Sequence, residues 1–122
     1  MIVAGFGFRQ SARIDSLVDA LQRASLMQTP ENIATVSDKA ETSVFRAFAQ
    51  QLMLPIIEVS AENLSAQETV TMSQASLSAR QTGSVAEAAA LAGAGLGARL
   101  LVPRVISSDG LATCALAKGE LQ

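Results

Sequence analysis

The chain has 122 residues, a length typical of one domain, and 49% of them are apolar, which excludes a disordered protein. Its net charge is −2, and its nine Lys and Arg residues form no run, so it lacks the basic stripe of a nucleic-acid-binding protein. Aromatic residues make up only 3%, which excludes an aromatic surface for stacking bases. We therefore expect a single domain over residues 1–122 that binds no nucleic acid.

The absence of His and the presence of a single Cys exclude several kinds of site. Imidazole acid–base catalysis, a Ser/His/Asp triad, a Cys/His zinc site and an internal disulfide are all impossible. Cys114 lies in an apolar run, residues 112–117, which predicts a buried and inert thiol. We expect neither a metal nor a cofactor.

The start of the chain, Met1-Ile2-Val3-Ala4-Gly5, lacks the basic region of a secretory signal. The longest apolar, uncharged stretch is residues 88–98, shorter than the roughly 18 residues that span a bilayer. We expect a cytoplasmic protein with no membrane partner.

The first half of the chain alternates apolar strands with amphipathic helices. Residues 2–8 form an apolar run with two glycines, typical of a strand covered on both faces. Residues 12–27 have helical periodicity and end before Pro30. A second strand is predicted at residues 33–36, and a helix with its apolar stripe in residues 44–52 follows it.

The caps predicted for this part of the chain involve two acidic residues. Asp38 stands three residues before Glu41, the aspartate form of a capping box. A third strand is predicted at residues 56–59, and Ser60 begins a short helix. Residues 70–82 have no clear period and are interpreted as a loop or a loose helical excursion.

The second half ends in a hairpin. Ser84 and Glu87 form a capping box, so each is expected to satisfy the other at the start of an alanine-rich helix. Two apolar runs, residues 99–106 and 111–118, are separated by a turn that contains Asp-Gly, which predicts an antiparallel pair. The whole order predicts an α/β fold: a three-layer αβα sandwich with a mostly parallel sheet and a C-terminal antiparallel hairpin.

The turns that follow the first two strands are candidate sites. The motif Gly5-Phe6-Gly7-Phe8-Arg9-Gln10 lacks the third glycine of a dinucleotide fingerprint, so its glycines are expected to allow close approach of a helix or a ligand. Ligands of open α/β sheets bind beyond the carboxyl ends of the strands, where helix amino termini favour anions. Arg9 and Lys39 are the cations of these two turns, and we expect them to lie near each other. The cations of the hairpin, Arg104 among them, are interpreted as charges that face solvent.

Five motifs, in order along the chain, resemble the CobE / CbiG C-terminal family of cobalamin biosynthesis. They are Gly5-Phe6-Gly7-Phe8-Arg9 with Ser11, Ala34-Thr35-Val36-Ser37-Asp38-Lys39-Ala40-Glu41, Leu52-Met53-Leu54-Pro55-Ile56 through Ala61-Glu62-Asn63-Leu64, Gly83-Ser84-Val85-Ala86-Glu87-Ala88-Ala89-Ala90-Leu91, and Ala112-Thr113-Cys114-Ala115-Leu116-Ala117.

The resemblance implies a role in cobalamin biosynthesis. Long members of the family open a lactone of a cobalt-precorrin, release acetaldehyde and carry an extra amino-terminal domain. We expect this chain to be the short, stand-alone CobE type of the aerobic pathway, which binds a precorrin or corrinoid intermediate as a carrier or assisting factor. A CbiG-type hydrolase and a docking domain for another enzyme of the pathway stay open as alternatives, and so does the question of whether the chain is an enzyme.

The family resemblance also implies a set of ligand-binding residues at the turns already described. A precorrin carries acetate and propionate groups around its ring, and a site for it needs a few cations and helix amino termini around an apolar floor. The expected ligand-binding residues are Arg9, Gln10, Ser11, Asp38, Lys39, Gly83, Ser84 and Glu87.

Overall fold

The computed structural model describes residues 1–26, 28–74, 77–78 and 82–119. Its strands are β1 (Ile2–Phe8), β2 (Asn32–Val36), β3 (Ile56–Val59), β4 (Arg99–Ile106) and β5 (Ala112–Lys118). Its helices are α1 (Ile14–Ala24), α2 (Ser37–Ala40), α3 (Ser43–Leu52), α4 (Ala61–Ser65) and α5 (Val85–Ala94). No described helix is long and apolar enough to cross a membrane.

The strands form one mixed sheet in the order β3-β2-β1-β5-β4. The first three strands are parallel, and the hairpin of β4 and β5 adds two antiparallel ladders beside β1. This arrangement confirms the α/β fold predicted from the sequence. Because Phe8 pairs with Ala112, the hairpin turn lies at the same edge as the carboxyl ends of β1, β2 and β3.

Helices cover both faces of the sheet. Helices α1 and α3 pack on one face around three fully buried rings, Phe6, Phe45 and Phe48. The rings of Phe6 and Phe48 meet edge to face, with 5.1 Å between their centroids. Helices α4 and α5 cover the other face, where the core consists mainly of Ala, Val and Leu. Three of the four aromatic residues of the chain are thus fully buried in this core.

Helix α5 lies unusually close to β1. A Cβ on Gly5 would lie 2.8 Å from the Cβ of Ala90 and closer still to the carbonyl oxygen of Ala86. Only glycine on the strand and small residues on the helix allow this separation. The prediction that the glycines of β1 admit a close neighbour is confirmed at Gly5, and the neighbour is a helix.

The structure corrects the capping box predicted at Asp38 and Glu41. Asp38 is the second residue of the short helix α2, which starts directly after β2. Helix α3 begins later, and its N-cap is Thr42, whose Oγ1 accepts a hydrogen bond from the backbone N–H of Phe45 at 3.4 Å. The prediction was wrong because a hydroxyl one residue after Glu41 caps the helix instead. Of the loop predicted at residues 70–82, residues 75–76 and 79–81 lie outside the described residues.

Candidate functional site

A cleft of about 390 Å³ opens at the carboxyl edge of the parallel strands. We call it the carboxyl-edge cleft and define it by three cations, Arg9, Lys39 and Arg104, with the apolar and small residues between them. Ligand pockets in proteins have volumes of roughly 300–1,000 Å³, so this cleft is at the small end of that range. Its position is the one that the topology of an open α/β sheet predicts for a ligand.

The three cations come from three separate elements. Arg9 follows β1, Lys39 belongs to α2 after β2, and Arg104 lies in the edge strand β4. No Asp or Glu lines the described cleft, and neither arginine forms an ion pair within the described part of the chain. The cleft is therefore positive although the chain as a whole carries a charge of −2.

Apolar side chains form the floor between these cations. Phe8, Val36, Val85 and Ile106 line the cleft together with the small residues of the hairpin turn. The ring of Phe8 stacks on that of Phe45 at 5.6 Å, and Nζ of Lys39 lies 5.0 Å from the centroid of Phe8. Since a cation is attracted to the face of an aromatic ring, this contact holds the ammonium group of Lys39 over the cleft floor.

The structure brings together only part of the predicted site. Arg9 and Lys39 line the same cleft, as their positions after two neighbouring parallel strands predicted. Gln10, Ser11 and Asp38 are exposed and lie outside its described lining.

Gly83, Ser84 and Glu87 are buried beneath the cleft rather than exposed in it. Gly83 admits its neighbours because it has no side chain: a Cβ there would lie 2.6 Å from Sδ of Met72. Ser84 caps α5, since its Oγ accepts a hydrogen bond from the backbone N–H of Glu87 at 3.2 Å.

The predicted capping box at the start of α5 is thus half right. The carboxylate of Glu87 accepts hydrogen bonds from the N–H groups of Val70 and Thr71, from the hydroxyl of Thr71 and from the N–H of Arg104, at 2.6 to 2.9 Å. Burial raises the pKa of Glu87, but these hydrogen bonds outweigh it and hold the pKa below its ordinary value. The side chain bonds to distant backbone because α5 meets the segment after α4 and the edge strand at this point.

Arg104 is the residue that sequence reasoning missed. Alternation along the hairpin predicted a charge facing solvent, yet Arg104 is one of the residues that line the cleft. The pairing of β4 with β5 is irregular here, because three steps along β4, from Val102 to Val105, match two along β5. Such a bulge changes the direction of nearby side chains, and its one local signal is Pro103, since proline inside a strand is confined to edge strands and bulges.

The hairpin turn is fixed by Asp109. Its carboxylate accepts hydrogen bonds from the hydroxyls of Ser107 and Ser16, both at 2.6 Å, and from the N–H of Leu111 at 3.0 Å. The bonds from Ser107 and Ser16 lead in lowering the pKa of Asp109 to about 2. The carboxylate of Asp109 therefore binds the first turn of α1 through Ser16. The sequence predicted that an anionic group of a ligand would bind at this helix amino terminus.

Catalytic groups are scarce around the cleft. Cys114 is fully buried, as predicted, and burial raises the pKa of its thiol. Within the described residues no three Cys, Asp or Glu side chains come close enough together to hold a metal ion. The arrangement offers positive charge, backbone and apolar surface, which are means of binding an anion.

Solved structures of cobalamin proteins resemble this chain. CobE, a protein from the cobalamin (vitamin B12) biosynthetic pathway, superposes with a TM-score of 0.88 at 28% identity, over 100% of this chain and 92% of that one. The cobalamin biosynthesis protein chiG from Agrobacterium tumefaciens str. C58 gives a TM-score of 0.75 at 36% identity, over 99% and 100%.

A third structure shares the fold. A putative cobalamin biosynthesis protein G homolog from Sulfolobus solfataricus gives a TM-score of 0.70 at 20% identity, over 98% of this chain and 37% of that protein. None of the curated proteins matches. The family model described as "Cobalamin synthesis G C-terminus" matches residues 2–117. This match covers nearly the whole sequence, and the chain therefore belongs to that family and takes part in cobalamin biosynthesis.

Proposed function

We propose that the carboxyl-edge cleft binds a polycarboxylate precorrin or corrinoid intermediate, and that the chain serves as a carrier or assisting factor. The observation that carries the proposal is the meeting of Arg9, Lys39 and Arg104 in one cleft whose described lining has no carboxylate. Cations from three elements match a ligand that bears several carboxylates along one edge. Membership of a cobalamin-synthesis family supports a corrinoid as the class of ligand.

The shape and polarity of the cleft suit one edge of such a ring. Phe8, Val85 and Ile106 give apolar surface for the macrocycle, while the three cations stand around it. A cleft of about 390 Å³ is too small to enclose a tetrapyrrole. In this proposal one edge of the ring, with its carboxylates, enters the cleft. The rest of the ring stays accessible, so that a neighbouring enzyme of the pathway can take over the ligand.

A carrier role is favoured over hydrolysis because no Asp, Glu or His that could act as a general base lines the described part of the cleft. The chain has no His, and no Asp or Glu lines the described cleft. The carboxylate of Glu87 is buried and engaged by four hydrogen bonds, so it is poorly placed to accept a proton from water. Opening of a lactone needs water to be activated, and the described lining supplies no carboxylate or imidazole for this.

The test is a titration with hydrogenobyrinic acid followed by its visible spectrum. Each charge-assisted contact contributes about 1.5–3 kcal/mol, so the double variant Arg9→Met/Lys39→Met should bind about a hundredfold more weakly or worse. Arg104→Met alone should weaken binding about tenfold or more. Arg99→Met is the matched control, since Arg99 is an exposed cation at the opposite end of the same strand.

Circular dichroism should show an unchanged fold in every variant. Equal affinity of the wild type and the double variant for the ligand would show that the ligand does not bind in this cleft. Mass spectrometry of the protein mixed with a lactone-bearing cobalt-precorrin, in place of hydrogenobyrinic acid, separates carrier from hydrolase, because release of acetaldehyde by the wild type would contradict the carrier role.

A further inference from the structure

Glu87 is the one charged residue among the fully buried side chains of the described chain. It lies in the first turn of α5, and no described ion pair involves it. Its Oε1 accepts the N–H groups of Val70 at 2.7 Å and Thr71 at 2.9 Å. Its Oε2 accepts the hydroxyl of Thr71 at 2.6 Å and the N–H of Arg104 at 2.9 Å. One carboxylate thus joins three parts of the chain that are distant in sequence.

The bond to Arg104 reaches the main chain of a cleft cation. Arg104 lies in the β4 bulge between the paired residues Val102 and Val105, outside the regular ladder with β5. Its N–H donates to Glu87 instead, and Arg104 is one of the residues that line the carboxyl-edge cleft. The position of the Arg104 main chain, and with it that of the guanidinium group, therefore depends on the hydrogen bond to Glu87 and not on pairing within the sheet.

The bonds to Val70 and Thr71 anchor another part of the cleft wall. Ser73, two residues further on, lines the cleft and donates its N–H to the carbonyl oxygen of Gly83 at 2.7 Å. The segment that bears Ser73 is thus docked on the start of α5 at Glu87 and again at Gly83. Glu87 has no place in the described lining of the cleft, so any effect it has on a ligand is indirect.

We propose that Glu87 is a positioning residue of the carboxyl-edge cleft, which holds the Arg104 main chain and the Val70–Thr71 backbone so that the guanidinium of Arg104 faces the ligand. This role rests on the proposed binding of a polycarboxylate. The two oxygens have different partners, and this difference makes the role testable with a single isosteric substitution.

In Glu87→Gln one oxygen becomes an NH₂ group. The donors at Oε1 are both backbone N–H groups, which need an acceptor. At Oε2 the Thr71 hydroxyl can turn and accept from an NH₂ group, whereas the N–H of Arg104 can only donate. The amide should therefore keep its oxygen toward Val70 and Thr71, and the bond lost is the one to Arg104.

The first experiment needs no ligand. Hydrogen exchange at the Arg104 amide, followed by NMR, should be at least about tenfold faster in Glu87→Gln than in the wild type, because its acceptor is gone. Glu62→Gln, an exposed glutamate on α4, is the matched control and should change nothing. If Glu87→Gln does not fold, Glu87→Asp keeps the charge but withdraws the carboxylate by one methylene from the N–H of Arg104, and should likewise accelerate exchange there. Unchanged exchange at Arg104 in the variant used would overturn the positioning role.

The second experiment is a double-mutant cycle with hydrogenobyrinic acid. Glu87→Gln should weaken binding about tenfold in the wild type and in Arg9→Met, but by about twofold or less in Arg104→Met. General destabilisation would instead weaken binding equally in all three backgrounds, and that result would refute the role. If the wild type binds no corrinoid, the proposed function fails, while the exchange experiment still decides whether Glu87 anchors Arg104.

Discussion

The close packing of α5 on β1 makes Gly5→Ala an informative substitution. A Cβ at residue 5 would lie 2.8 Å from the Cβ of Ala90, about 1 Å inside the separation of roughly 3.5–4.0 Å at which two carbons attract. It would also meet the carbonyl oxygen of Ala86 and the backbone nitrogen of Ala90. Because these two atoms belong to the backbone of a helix, no rotation of a side chain can relieve the overlap.

The helix must therefore move away from the strand as a whole. Overpacking of a core costs about 1–3 kcal/mol, and we expect a value near 3 kcal/mol because backbone has to shift. A domain of this size has a stability of about 5–15 kcal/mol, so the variant should still fold. The melting temperature should fall by about 10 °C.

Urea unfolding followed by circular dichroism measures this change in the free energy of unfolding. Gly7→Ala is the matched control on the same strand, where the new Cβ would lie 3.0 Å from Oγ1 of Thr113 and 3.2 Å from Cβ of Val85. Contacts of 3.0 and 3.2 Å require the neighbouring atoms to move by only a few tenths of an ångström, so the loss for Gly7→Ala should be about 1 kcal/mol. A loss for Gly5→Ala within about 0.5 kcal/mol of zero would refute the close packing of α5 on β1.

Two further predictions concern polar groups outside the cleft. Thr82 is 3% exposed, and its Oγ1 has no hydrogen-bond partner among the described residues. Thr82→Val should therefore raise the free energy of unfolding by about 1 kcal/mol, and a lower free energy of unfolding in urea would mean that the hydroxyl is satisfied. Hydrogen bonds from Ser107 and Ser16 lower the pKa of Asp109 from 3.8 in the unfolded chain to about 2 in the folded chain. The ionised carboxylate therefore stabilises the fold fully above the unfolded-state pKa, and this stabilisation is lost as the pH falls toward the folded-state pKa. Asp109→Asn should therefore unfold at a lower urea concentration than the wild type at neutral pH, and the difference between the two urea midpoints should shrink as the pH falls between these two pKa values. A difference between the midpoints that does not depend on pH would contradict this.

Much of the fold could be predicted from local signals. The hairpin strands Arg99–Ile106 and Ala112–Lys118 follow from two apolar runs around an Asp-Gly turn, since the turn and the strands it joins are close in sequence. The cap of α5 by Ser84 is local for the same reason. The N-cap of α3 was missed because Asp38, Glu41 and Thr42 all offer capping oxygens within five residues, and sequence alone does not rank them.

The candidate site divides in the same way. Arg9 and Lys39 could be placed together because parallel neighbouring strands end at one edge of a sheet. Arg104 could not, because Pro103 signals an edge strand or a bulge, whereas the register of β4 against β5 around Arg104 is fixed only in the folded sheet. The anchoring of Arg104 by Glu87 joins residues 17 positions apart, and no local pattern encodes it.

By itself, the sequence determined the exclusions and the family. Without His, with scattered cations and with few aromatics, it rules out imidazole catalysis and base stacking whatever the fold, because those functions need particular side chains. Only the tertiary structure decided what Glu87 does, because a glutamate that begins a helix carries the same local signal whether it caps that helix or binds distant backbone. In the folded chain the Glu87 carboxylate is buried where α5 meets the backbone N–H groups of Thr71 and Arg104, and it accepts hydrogen bonds from both. A buried carboxylate needs hydrogen-bond donors, and contacts between elements far apart in the chain decide which donors lie close enough to bind it.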